Sequence, residues 1–117
     1  MNSKDITHLK LMLDFARRAV RRVSGVTIDR FLADQDLQDM VLYAVGQVGE
    51  NASAISDTTH EKYHELLWGP IIGIRNRVFH SYGDIDMSIV FEAITDHMPV
   101  LIEQIETILA KLGSNIP

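Results

Sequence analysis

The chain of 117 residues contains no cysteine. That excludes a disulfide framework and any thiolate metal site, and it fits a reducing, cytoplasmic setting. No apolar run approaches the roughly 18 residues of a membrane-spanning helix. The first residues, Met1-Asn2-Ser3-Lys4-Asp5, lack the charged-then-apolar layout of a secretory signal. Excess positive charge is missing too. The net charge of −5 argues against a protein that coats nucleic acid non-specifically, but it leaves room for a local basic groove. No linker, repeat or low-complexity tract interrupts the chain, and no segment sustains strand-like alternation. One domain over residues 1–117 is expected, long enough to bury roughly 65% of its unfolded surface.

What is present is helical periodicity. Ile6, Leu9, Leu13, Ala16, Val20 and Val23 recur at three- and four-residue spacing and predict a first helix, with Ser3 or Asp5 as its cap. Ser24-Gly25 stops it, and Thr27 caps a short turn. A second long helix is expected from Asp34 or Asp36 through Leu37, Val41, Ala44, Val48, Ala52 and Ile55. Gly46 and Gly49 interrupt it at a cost of about 1 kcal/mol each relative to alanine, which predicts close approach of another helix. A polar break over 56–59 precedes a short helix over 60–67. Trp68-Gly69-Pro70 opens the next helix, which runs to about His80. Asp86 caps a helix to about Asp96, and Pro99 begins a separate last helix that ends at Gly113. The sum is an all-α, up-and-down bundle of four to five helices.

Two sequence features stand apart from the core stripes. Arg17, Arg18, Arg21 and Arg22 fall within six positions, where a helix presents them as one broad side. They form either a solvated face or a surface for phosphate or a partner. His60-Glu61-Lys62-Tyr63-His64 matches the zinc-protease pattern H-E-x-x-H. The chain is small for a protease scaffold and offers no third ligand at a recognised spacing, so two exposed histidines are the simpler expectation. His8 and His97 are expected at the surface.

The richest stretch is Arg75-Asn76-Arg77-Val78-Phe79-His80-Ser81-Tyr82-Gly83. Arginine neutralises phosphate oxygens, histidine moves protons near neutral pH, and tyrosine offers a hydroxyl. A step from i to i+5 turns a regular helix by about 500°, or roughly 140° net, so Arg75 and His80 do not share a face. Local unwinding near His80, or a second copy across a two-fold axis, would bring them together, and the second account is preferred. Tyr82 could also simply pack beside Trp68.

The spacing Arg-x4-His-x-Tyr resembles the R-x4-6-H-x-Y motif of HEPN-domain ribonucleases, in particular the HepT-like toxins of bacterial toxin–antitoxin pairs. The likeness extends in order along nearly the whole chain. Ala44 to Ala52 is similar to the family's hydrophobic-Gly-Glu-Ala stretch, Trp68 and Pro70 precede the Arg-Asn pair, and Asp84-Ile85-Asp86 leads into a similar C-terminal half.

This resemblance implies a homodimeric, metal-independent endoribonuclease without a cofactor, acting on tRNA or mRNA as the toxin of a type VII-like module. Arg75 and His80 would be catalytic. Asn76 and Tyr82 would position phosphate or substrate. Tyr82 would also accept AMP from a cognate MNT-type nucleotidyltransferase antitoxin, which silences the toxin. Glu50 would either face solvent or support the cleft by orienting an arginine. The alternative is a non-catalytic module that partners the nucleotidyltransferase in nucleotide or substrate binding.

Overall fold

Asn2, not Ser3 or Asp5, opens the first helix. Its side chain accepts a hydrogen bond from the Asp5 N–H at 2.8 Å, the usual service of an N-cap to an unpaired amide. The structure, a computed structural model, describes residues 1–114, and the backbone alone for Tyr82 and Ser114. Helix α1 spans Ser3–Val23 and ends at Gly25, whose φ of 74° suits a residue without Cβ. Thr27 caps α2 (Ile28–Ala33) as expected, and Asp34 caps α3 (Gln35–Ala54). The buried Gln38 amide of α3 donates to the carbonyls of Phe31 and Leu32, satisfying the end of α2.

The next short helix is displaced from its expected place. Helix α4 spans Asp57–Lys62, capped by Ser56, and lies N-terminal to the predicted 60–67 segment. The reason is a buried carboxylate. Asp5 accepts from Ser56 Oγ and Thr59 Oγ1, each at 2.6 Å, and from the Ser56 N–H at 3.1 Å. This network draws Ser56 and Thr59 into the first turn of a helix and ties it to α1. Burial alone would raise the Asp5 pKa. The Ser56 and Thr59 hydrogen bonds, with His8 nearby, outweigh burial and hold it below the ordinary value.

Helix α5 spans Trp68–His80, with Pro70 in its first turn, followed by a 3-10 turn at Tyr82–Asp84. Asp86 caps α6 (Met87–Glu92). The expected break before Pro99 is absent. A π-helical turn at Ala93–His97 leads without interruption into α7 (Met98–Ser114), the Met98 N–H bonding the Ala93 carbonyl. Proline cannot donate to the carbonyl one turn back, and the wider turn just before it absorbs that loss. Thr95 Oγ1 donates to the Phe91 carbonyl in the same turn.

Four long helical units therefore form the bundle, with α2 and α4 as short connectors, and no strand occurs among the described residues. Helix α3 packs against both α1 and α5, and α1 packs against α7. The core is drawn from Leu9, Met12 and Ala16 of α1, Val41, Val45 and Val48 of α3, and Ile94, Ile105 and Ile108 of the C-terminal unit. Phe31 of α2 closes one end against Phe91, ring centroids 5.1 Å apart. Helix α5 is the least embedded long helix. Only Trp68 and Val78 of it are fully buried.

Both glycines of α3 lie where the sequence requires a close neighbour. A Cβ on Gly49 would stand 2.5 Å from Arg75 Cβ and 2.8 Å from the Ile71 carbonyl oxygen, while one on Gly46 would stand 3.2 Å from Val78 Cγ1. Gly49→Ala therefore forces backbone apart and should cost roughly 2–3 kcal/mol. Gly46→Ala meets only a side chain and gains helix propensity, so its net effect should stay within about 1 kcal/mol. Urea unfolding of the two variants checks the contrast. Asp5→Ala should cost roughly 2–3 kcal/mol at neutral pH. Because the folded pKa lies below the unfolded one, this stabilisation is present above the ordinary 3.8 and is lost as pH falls through the folded value. The gap between wild type and variant should thus narrow in strongly acidic buffer.

Candidate active site

The glycine contact decides where the Arg75 side chain starts. With no side chain on Gly49, α5 lies close enough to α3 for Arg75 Nε to donate to Glu50 Oε2 at 2.6 Å. A second guanidinium nitrogen, Nη1, donates to Asn76 Oδ1 at 2.9 Å, and the group sits over the Phe79 ring at 5.6 Å. An arginine carries five N–H donors, so several remain for an anionic ligand. The side chain is about one-third exposed (32%) and Glu50 somewhat more (45%), which leaves the pair accessible.

Helix α5 stays regular through His80, so unwinding before His80 does not unite the motif. Asn76 supplies part of the link. Asn76 and His80 are four residues apart, on one helix face, and Asn76 holds the Arg75 guanidinium. His80 is exposed in the last turn, where no hydrogen bond ties its ring to another described residue. Arg77 is directed elsewhere, as its position predicts, and lines an apolar cavity of about 410 Å³ with Val45, Ile74 and Val90. Tyr82 begins the 3-10 turn two residues after His80, and its expected side-chain role lies outside the described residues.

The H-E-x-x-H pattern does not form a pair of ligands. Helix α4 ends at Lys62, so His60 and His64 do not share a helical turn. Only His64 is exposed. His60 is half-buried, its Nε2 2.9 Å from the Ala52 carbonyl oxygen and its ring 4.4 Å from that of Trp68. His8, expected at the surface, is half-buried and likewise engaged, with Nδ1 2.9 Å from Asn51 Oδ1. The partner of His8 lies 43 residues away in sequence, which local spacing cannot show. Phe79 was also not singled out beforehand, although its position one turn after Arg75 is a readable signal. In the arginine cluster, Arg17 pairs with Glu106 at 3.2 Å and Arg18 with Asp14 at 2.8 Å.

With this geometry in place, comparison with known proteins is informative. A protein-family model described as "Ribonuclease HepT-like" matches residues 12–108. A Caldanaerobacter subterraneus protein named "Putative RNase" is 26% identical over 104 residues, which is 89% of this chain and 93% of that protein. A Methanocaldococcus jannaschii protein, also named "Putative RNase", is 24% identical over 104 residues, 89% of this chain and 80% of its own. A Thermococcus cleftensis protein named "Probable ribonuclease HepT" is 22% identical over 76 residues, 65% of this chain and 69% of its own. No solved structure gives a significant match.

The half-exposed ion pair between Arg75 and Glu50 should contribute little to stability. Glu50→Ala is expected to change unfolding free energy by no more than about 1 kcal/mol. It should still release the Arg75 Nε–H, seen as faster hydrogen exchange at that nitrogen by NMR.

Proposed function

We propose, because the chain belongs to the HepT-like ribonuclease family, that it is a metal-independent endoribonuclease built around Arg75 and His80. The observation that carries this reading is the aimed guanidinium of Arg75. Glu50 and Asn76 fix it while leaving donors free, on the helix that ends at the exposed His80. RNA brings its own nucleophile, so a proton acceptor and a charge stabiliser suffice. The ribose 2′-hydroxyl attacks the adjacent phosphorus and gives its proton to the His80 imidazole. The bond from phosphorus to the 5′ oxygen breaks, and a protonated histidine returns a proton to that oxygen. The products are a 2′,3′-cyclic phosphate and a 5′-hydroxyl. Such acid–base service contributes roughly 10²–10⁴-fold. Arg75 stabilises the charge that builds on the phosphorane oxygens.

A homodimer with this cleft on the two-fold axis supplies what one helix does not. It places Arg75 of one subunit opposite His80 of its partner, so that the charge stabiliser and the group that takes up and returns the proton serve one phosphodiester. Asn76 keeps the guanidinium on the His80 side, and Glu50 keeps it from swinging into solvent. In a toxin–antitoxin setting, an MNT-type nucleotidyltransferase would transfer AMP from ATP to the Tyr82 phenol oxygen, releasing pyrophosphate. A charged adduct two residues from His80 would block the cleft and repel RNA phosphates.

The test is cleavage of total tRNA and of mRNA by purified protein in excess EDTA, beside His80→Ala and Arg75→Ala. Each substitution should lower the rate by roughly 10²-fold or more, and wild-type products should carry cyclic phosphate ends. Absence of cleavage by protein of unmodified mass, with nucleotide or nucleotidyltransferase binding retained, would replace this reading with that of a non-catalytic binding module.

A further inference from the structure

The arginine cluster of α1 lies at the start of a continuous surface that ends at the candidate site. Arg18, Arg21 and Arg22 line an open hollow of about 410 Å³, and Arg21 and Arg22 are exposed and take part in no salt bridge among the described residues. Arg18 lies over the Phe15 ring, 4.9 Å from its centroid. Phe15 meets Tyr43 of α3 edge to face, centroids 6.0 Å apart. Tyr43 precedes Gly46 by three residues, on the same helix face. A Cβ at Gly46 would lie 3.7 Å from the Phe79 ring, and that ring underlies Arg75. A cation, three aromatic rings and a second cation thus follow one another from α1 across α3 to α5. Two of the rings are open to solvent, Tyr43 at 62% and Phe79 at 50%.

We infer that this surface is a binding track for single-stranded RNA, with phosphates on Arg18, Arg21 and Arg22 and a base stacked on Tyr43. The substrate class rests on the ribonuclease reading. Guanidinium groups at either end of exposed rings offer contacts for both the phosphates and the flat bases of a single strand. In a chain of net charge −5, an arginine cluster with no salt-bridged carboxylate at two of its three members among the described residues is where a polyanion is drawn. Arginine near the C-terminus of α1 also offsets the helix dipole, but that effect needs neither the open Tyr43 ring nor the Phe79 ring beneath Arg75. The track guides a strand to the site along the outside of α1 and α3, and it leaves the two-fold cleft itself to Arg75 and His80.

Binding of a fluorescein-labelled oligouridylate to full-length His80→Ala protein, over a salt series, tests the track. Adding Arg21→Ala and Arg22→Ala together should weaken binding about tenfold or more and lower the slope of log affinity against log salt by roughly 1.4, as for two lost phosphate contacts on a single strand. Tyr43→Ala should weaken binding at least about fivefold without changing that slope, and Tyr43→Phe should restore it. All these positions are exposed, and circular dichroism confirms that the variants fold. Unchanged affinity and slope would overturn the track even if wild-type protein cleaves RNA. Arginine-dependent binding without wild-type cleavage would support the track while refuting the ribonuclease reading. A change in sedimentation with unaltered RNA affinity would assign the face to contact between protein chains and overturn the proposal.

Discussion

The approach of α5 to α3 is the constraint on which the rest of the site depends. Two positions without side chains, Gly46 and Gly49, let the backbones come within the width of a missing methyl group. Each glycine costs helix propensity, and packing of Val78, Ile71 and Arg75 against α3 offsets that cost. The contact also fixes the height of α5 along α3, so that the first turn after Gly49 carries the carboxylate that meets Arg75. Core packing and site geometry thus share one interface. A change that moves α5 outward acts on the guanidinium before it acts on the bulk of the core.

The remaining architecture explains why this interface can serve chemistry. The main apolar mass lies among α1, α3 and the C-terminal unit, so α5 is supported on one side and open on the other. Its polar residues near His80 face water, while Trp68, Val78 and the half-buried Ile71, Ile72 and Ile74 anchor it to the core. The ion pair of Arg75 with Glu50 is too exposed to hold the fold together. Its effect is to orient a cation, and orientation is what charge stabilisation in a reaction needs.

Much of this was legible from residue spacing. The apolar stripes located the long helices, Asp34 and Asp86 announced their starts, and the two glycines of α3 foretold the close neighbour. Three of the failures share a cause. Asn2 replaced Ser3 and Asp5 as the cap because Asp5 was recruited inward by Ser56 and Thr59, about fifty residues away. The same long-range bonds moved α4 forward and dissolved the apparent zinc pattern. Pro99 is ordinarily a boundary, yet the helix continues because a π turn before it removes the need for the missing amide. For the site, Arg75 and His80 stood out by residue type and spacing, and Asn76 through the resemblance to the family's Arg-Asn pair. That Glu50 of α3 reaches Arg75 of the same chain depends on helix register, and local pattern left it as one of two options.

The chain belongs to the HepT-like ribonuclease family, and the proposed mechanism turns on how Arg75 and His80 meet although they face apart on one regular helix. A mixture of Arg75→Ala and His80→Ala proteins, subunits exchanged and assayed for RNA cleavage in EDTA, addresses that directly. Each protein alone should be inactive, and the mixed dimer should regain cleavage, since one cleft then combines an intact arginine from one subunit with an intact histidine from its partner. Wild-type cleavage that is never recovered in the exchanged mixture would contradict a site assembled across the two-fold axis.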